Sequence, residues 1–224
     1  MNKLNSIKKA CKITDNIFDN LIENWNKENF KTEKQVKDYL LKQMRQHKVR
    51  LSFMPIVSCS KTHHNIHQKP YYKLRKGFLV IDFGVKYNNY CSDMTRTIYL
   101  GKPSKKEKEI YNQLLNCQKR SIKNLKTGKS YKEIDLKSRI YLKNYKKYFI
   151  HALGHGIGKK VHEKPNVHPK SKDKVKIGDF ITIEPGIYQK RKINIRIEDT
   201  IYISKKGPIV LTKTKKELVI INEI

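Results

Sequence analysis

Apolar residues recur at helical spacing from Ser6 to about Asn24, where Ile7, Ala10, Cys11, Ile13, Ile17, Phe18, Leu21 and Ile22 share one face. Thr32 and Gln35 then form the pattern of a capping box. The helix it opens carries Val36, Tyr39, Leu40 and Met44 on one side. Leu51 to Ser58 reads as a strand with Pro55 at an edge or bulge. Gly77 to Gly84 is a buried strand that ends on Asp82, and Cys91 to Tyr99 is its hairpin partner across an Asn88-Asn89 turn. Ser104 caps a helix running to about Leu125, and a second helix follows from Ser130 to about Lys143. Tyr148 to Ile157 reads as an apolar strand entering a Gly-rich turn. Ile181–Tyr188 and Ile193–Thr200 form a closing hairpin, and Lys205-Lys206-Gly207 turns into a last strand ending at Ile221.

Acids inside these apolar runs change the picture. Glu184 and Glu198 lie in β-branched stretches, where a buried charge is costly without a partner. A turn centred near Arg191 sets these two opposite each other. A turn between Lys86 and Asn89 does the same for Asp82 and Asp93, with Cβ atoms about 5 Å apart. Like charges placed opposite are destabilising unless a cation lies between them. His151, His155 and His162 surround Gly154, Gly156 and Gly158, residues that let a backbone approach a ligand closely. His63, His64 and His67 sit in a polar loop.

Four carboxylates and one imidazole (Asp82, Asp93, His155, Glu184, Glu198) are too anionic for a closed structural zinc site. They suit two divalent cations about 3.5 Å apart, a pair that lowers the pKa of a bridging water and polarises a carbonyl. His67, His151 and His162 are donors toward the carbonyl oxygen or the leaving group. The reaction class is metal-assisted hydrolysis, most naturally of an amide. Oxygen-rich sites accept Mn, Co, Zn or Fe.

Composition narrows the setting. Lys and Arg total 50 against 20 Asp and Glu among 224 residues, a net charge of +30. The basic residues are spread along the whole chain, and Lys, Asn, Ile and Tyr all have A/T-rich codons. The charge therefore reads as compositional bias, and no specific nucleic-acid partner is expected. Cys11, Cys59, Cys91 and Cys117 form neither a disulfide frame nor a C-x-x-C site. No run of about 18 apolar residues and no signal-peptide core occurs, so no membrane span is expected and the cytoplasm is the default location.

The order Asp–Asp–His–Glu–Glu over nearly the whole chain resembles the pita-bread (M24) metallopeptidases, which include methionine aminopeptidase, aminopeptidase P and prolidase. Arg196-Ile197-Glu198-Asp199-Thr200 resembles the R-x-E-D hallmark of the X-Pro branch, as do Pro55-Ile56-Val57, His67-Gln68-Lys69-Pro70 and Thr182 to Tyr188. The resemblance implies an α+β pita-bread fold: a curved, mostly antiparallel sheet flanked by helices, in pseudo-twofold halves. It implies that Asp82 chelates one metal, that His155 and Glu184 bind the other, and that Asp93 and Glu198 bridge both. Glu184 would also relay protons, His67 and His162 would contact substrate and transition state, His151 would line the pocket, and Arg196 would support Glu198 or the substrate's tail. Manganese or cobalt is favoured in the site. The expected activity is hydrolysis of Xaa-Pro bonds in short peptides, as a dipeptidase or aminopeptidase. A methionine aminopeptidase and a non-catalytic pita-bread binding protein are the alternatives. The family pattern begins near residue 6, so residues 1–224 are expected to be one catalytic domain without the N-terminal domain common in prolidases, and a homodimer is possible.

Overall fold

A computed structural model describes residues 2–59, 72–189 and 192–222. Helices α1 (Lys3–Glu23), α2 (Trp25–Glu28) and α3 (Glu33–Gln46) precede strands β1 (Arg50–Leu51), β2 (Ile56–Cys59), β3 (Gly77–Phe83), β4 (Val85–Tyr87), β5 (Tyr90–Cys91) and β6 (Met94–Leu100). Then come α4 (Lys105–Lys123), α5 (Tyr131–Tyr141) and a 3₁₀ segment (Lys143–Tyr148). The chain closes with β7 (Gly154–Gly156), β8 (Glu163–Val167), β9 (Phe180–Ile183), β10 (Gly186–Gln189), β11 (Ile193–Arg196), β12 (Asp199–Ser204), β13 (Gly207–Val210) and β14 (Ile220–Ile221).

The Thr32–Gln35 capping box forms as the sequence predicts and opens α3; Ser104 caps α4 as expected, and Glu107 completes a capping box there. Each helix pair then covers a sheet. α1 and α3 pack on the sheet ordered β14-β6-β3-β2 through Ile17, Leu21, Leu40, Leu79 and Ile81. α4 and α5 pack on the sheet ordered β13-β12-β9-β7-β8 through Leu114, Tyr131, Ile134, Ile181 and Ile201. β3 and β6 are buried along their whole length. This is why β3 reads as an apolar run broken only by Asp82 rather than an alternating pattern. Among the described strands the one parallel pairing is β14 with β6. No helix among the described residues is long and apolar enough to cross a membrane.

The closing hairpin has the expected register. Gly186 faces Arg196 and Ile183 faces Asp199, so Glu184 and Glu198 occupy matching positions where both strands break. The first hairpin does not. Its turn residues Asn88 and Asn89 both have positive φ, 46° and 65°, and join Tyr87 directly to Tyr90. A two-residue turn of this hand matches strand twist. It moves the hairpin centre by one residue, so Asp82 faces Thr95 and not Asp93. Because the partner shifts by two, Asp93 keeps its face and lies diagonal to Asp82. Gly84 takes the place opposite Asp93. A Cβ there would sit 1.9 Å from the Ser92 carbonyl oxygen.

Two other expectations need correcting. Tyr148–Ile157 is not one strand: only Gly154–Gly156 joins a sheet, because the backbone groups of Phe149, His151 and Leu153 bond to α5 side chains instead. The segment Leu51–Ser58 splits into β1 and β2 around Pro55, which has no N–H for a ladder.

Candidate metal centre

Three of the four expected carboxylates stand at breaks between strands. Asp93 separates β5 from β6, Glu184 separates β9 from β10, and Glu198 separates β11 from β12. At each break the amide leaves its own ladder and finds a distant acceptor. Asp93 N–H donates to Thr200 Oγ1, Glu184 N–H to the Leu153 carbonyl and Glu198 N–H to the Thr95 carbonyl. The Asp93 and Glu198 bonds tie the two helix-backed sheets together, and the Glu184 bond ties the end of β9 to the segment before β7. Asp82 comes from within β3 and His155 from the middle of β7. Gly154, beside His155, admits the close approach of β9: a Cβ there would lie 2.0 Å from the Thr182 carbonyl oxygen.

All five line one cavity of about 940 Å³, together with Arg196, His151 and His162. His155 Nε2 lies 3.6 Å from Asp93 Oδ2 and 3.5 Å from Glu184 Oε1. Its Nδ1 lies 3.1 Å from the Gly156 carbonyl, which can only accept. Nδ1 therefore carries the proton, and the Nε2 lone pair faces the carboxylates. Ligand atoms of Asp93, His155 and Glu198 lie within 4.8 Å of one another. The His162 ring meets the His155 ring edge-on, with centroids 4.2 Å apart. His67, like His63 and His64, lies outside the described residues.

The carboxylates are only half satisfied. Arg196 Nη2 bonds Asp82 Oδ2, and Thr95 Oγ1 donates to Glu198 Oε2 at 2.7 Å. The other oxygens, Asp82 Oδ1 and Glu198 Oε1, together with Asp93 Oδ1, are buried without a hydrogen-bond partner among the described residues. Burial raises the Asp93 and Glu198 carboxyls well above the usual range, and the neighbouring acids raise them further. Burial also pushes Glu184 up to about 7 and lowers His155. Bare acids packed this way oppose one another's ionisation. Hard oxygen donors aimed at one point, with one imidazole, fit divalent cations.

Arg196 bonds Asp82 directly and reaches Glu198 through Thr95, whose hydroxyl accepts from Arg196 Nε at 2.9 Å. Sequence reading missed Thr95. The true register, with Thr95 facing Asp82, would have found it. It also gave no part to Tyr188, whose hydroxyl lies between His151 Nε2 and Arg196 Nη1. Phe53, Met54, Pro55 and Ile56 make an apolar wall, of which only Pro55 and Ile56 fall in a motif.

Residues 5–205 match the model of metallopeptidase family M24. The chain is 46% identical over 146 residues to an Xaa-Pro dipeptidase of Pyrococcus furiosus, covering 64% of this chain and 42% of that protein. Its structure is similar to a prolidase from Thermococcus sibiricus, with TM-score 0.92 and 35% identity, over 98% of this chain and 61% of that one. It is also similar to an X-Pro aminopeptidase from Thermotoga maritima, with TM-score 0.91 and 31% identity, over 98% of this chain and 63% of that one. The chain thus spans less than two thirds of each of these relatives. The shared architecture is the α+β pita-bread fold.

Proposed function

The chain belongs to metallopeptidase family M24, whose members depend on divalent metal, and we propose that it hydrolyses Xaa-Pro bonds in short peptides. The observation that carries this reading is the set of buried carboxylate oxygens with no hydrogen-bond partner among the described residues, on Asp82, Asp93 and Glu198, in the large cavity that His155 also lines. Asp82 would hold one cation, His155 and Glu184 the other, and Asp93 and Glu198 would be shared; manganese or cobalt suits such a set. When bound, the cations polarise the scissile carbonyl and lower the pKa of water.

The chain's own groups do the rest. Glu184 accepts a proton and returns it to the leaving amine. Thr182 Oγ1 orients it by donating to Oε1 at 3.4 Å. His162, on the cavity wall, and His67 donate toward the substrate carbonyl and stabilise charge that develops on it, while His151, its ring nitrogens engaged by the Ala152 carbonyl and the Tyr188 hydroxyl, lines the pocket. Arg196 holds Asp82 in place and steadies Glu198 through Thr95. The Phe53–Ile56 wall offers apolar surface to a substrate side chain or proline ring. All four cysteines are buried, in keeping with a reducing cytoplasmic setting.

The test is an assay of protein stripped with a chelator and reloaded with Mn²⁺ or Co²⁺. Substrates are an X-Pro dipeptide, an X-Pro-X tripeptide and a Met-Ala peptide. Cleavage of an X-Pro substrate only after reloading is the expected result. Cleavage of the Met-Ala peptide alone, or of none with metal bound, overturns the proposal.

A further inference from the structure

The segment Phe149-Ile150-His151-Ala152-Leu153 belongs to no helix or strand, yet it sets His151 on the cavity wall. A loop that places a working side chain needs its backbone held by something rigid. Here the holder is one ion pair on α5. Arg139 Nη1 donates to the Phe149 carbonyl at 2.6 Å, and Nη2 donates to the His151 carbonyl at 2.7 Å. Arg139 Nε donates to Asp135 Oδ1 at 2.6 Å, and Asp135 Oδ2 accepts the Leu153 N–H at 2.8 Å. Three alternate residues are thus gripped by their main chain. The Leu153 carbonyl in turn accepts the Glu184 N–H at 2.8 Å.

The grip extends to the ring. The Arg139 guanidinium lies over the Phe149 ring, 4.4 Å from its centroid, and Phe149 meets the His151 ring edge-on at 5.0 Å. His151 Nδ1 lies 2.7 Å from the Ala152 carbonyl, and its Nε2 lies 2.8 Å from the Tyr188 hydroxyl. Aspartate and arginine four apart on a helix are ordinarily a solvated pair of little consequence. This pair differs in that Asp135 is fully buried and the rest of the guanidinium fork is aimed at one loop.

We infer that Asp135 and Arg139 are positioning residues for His151, acting through the backbone of residues 149–153. The inference rests on the peptidase reading for the role of His151, but the clamp itself can be tested without it. Lysine in place of Arg139 keeps a cation beside Asp135. It lacks the planar fork that reaches two carbonyls at once.

The experiment is a double-mutant cycle on Mn²⁺-loaded protein with an X-Pro dipeptide, together with the ¹³Cε1–¹Hε1 NMR signal of His151 in metal-free protein. Arg139→Lys is expected to lower kcat/KM about 10-fold. In a His151→Asn background the same change is expected to cost less than about 2-fold. The His151 signal should shift or broaden in Arg139→Lys, while that of His47, at the end of α3, stays put. Equal losses in both backgrounds, or an unmoved His151 signal, would overturn the inference. If the wild type cleaves no X-Pro peptide, the peptidase reading fails and the NMR signal alone decides the clamp. Should Arg139→Lys not fold, Asp135→Asn, which weakens the ion pair but keeps an acceptor for Leu153 N–H, goes through the same two measurements.

Discussion

Two clusters of buried charge meet back to back at Glu198 and Asp199. The two residues are adjacent in sequence and almost equally buried, at 2% and 0% exposure. Asp199 is saturated. Arg96 Nη2 and Thr212 Oγ1 donate to its Oδ1, and Lys216 Nζ and Gln118 Nε2 donate to its Oδ2, all within 2.8 Å. Burial alone would raise its pKa, but Arg96 and Lys216 outweigh that and hold it below the ordinary value. Among the described residues Glu198 has one donor, Thr95, and an unmatched second oxygen, and its pKa is driven the other way. Consecutive residues of an extended chain point to opposite sides. One side of this chain is therefore finished as a core, and the other faces the cavity with an unmatched carboxylate oxygen. The region does not lack cations or donors, as Asp199 shows. Among the described residues, its donors leave Glu198 Oε1, Asp93 Oδ1 and Asp82 Oδ1 unmatched.

Substitutions at the two positions should separate activity from stability. Glu198→Gln is expected to lower kcat/KM by about 10³-fold or more while leaving the melting temperature of metal-free protein unchanged or higher. Retained turnover would remove Glu198 from the site. Asp199→Asn should do its damage to the fold. It strands Arg96 and Lys216 in the interior and should cost about 3–5 kcal/mol in urea unfolding. A variant as stable as wild type would show that the cage around Asp199 is not structural.

The pH dependence of metal-free protein sharpens the same contrast. Glu184 keeps its proton to about 7 in the folded state, against an ordinary 4.5. The folded state binds the extra proton, so this stabilisation is complete below the unfolded value and is lost as pH rises through about 7. Chelator-treated protein should lose on the order of 3 kcal/mol between about pH 4.5 and 7.5. Saturating Mn²⁺ should abolish that slope. Asp199 works in the opposite sense: its contribution is present above the ordinary aspartate value and is lost as pH falls below it. A flat urea-unfolding profile between pH 4.5 and 7.5 without metal would contradict the reading of the cavity as uncompensated. The mildest expected effect is Thr95→Val, which removes the hydroxyl between Arg196 and Glu198. A drop of about 10- to 100-fold in metal affinity, measured by competition with a chelating dye, is expected. Unchanged affinity would mean that Arg196 steadies Asp82 alone.

The sequence was most legible where its signals are local. The capping boxes at Thr32 and Ser104 use contacts three residues apart, and both helices start where those residues predict. The closing hairpin, pairing Glu184's position with that of Glu198, could be read from its length. The first hairpin could not be read to the residue. Lys86 to Asn89 and Tyr87 to Tyr90 are equally plausible turns on paper, and the choice rests on left-handed backbone at both Asn88 and Asn89. That single step replaced Asp93 with Thr95 opposite Asp82, and so hid the residue that links Arg196 to Glu198. Helix α5 reads as plain support because nothing in its periodicity reveals that Arg139 reaches the carbonyls of Phe149 and His151.

Along the chain, then, amphipathic period, caps and the order Asp82, Asp93, His155, Glu184, Glu198 already determine most of the elements, the family and five residues that line one cavity. Which buried charges are matched was decided only in three dimensions. Arg96 and Lys216 are two among 50 basic residues, with no local feature to mark them. Arg96 meets Asp199 across 103 positions, and Arg196 meets Asp82 across 114. Helix and strand periodicity act over a few residues. Compensation of a buried carboxylate depends on which distant side chain the packed halves bring within about 3 Å of it.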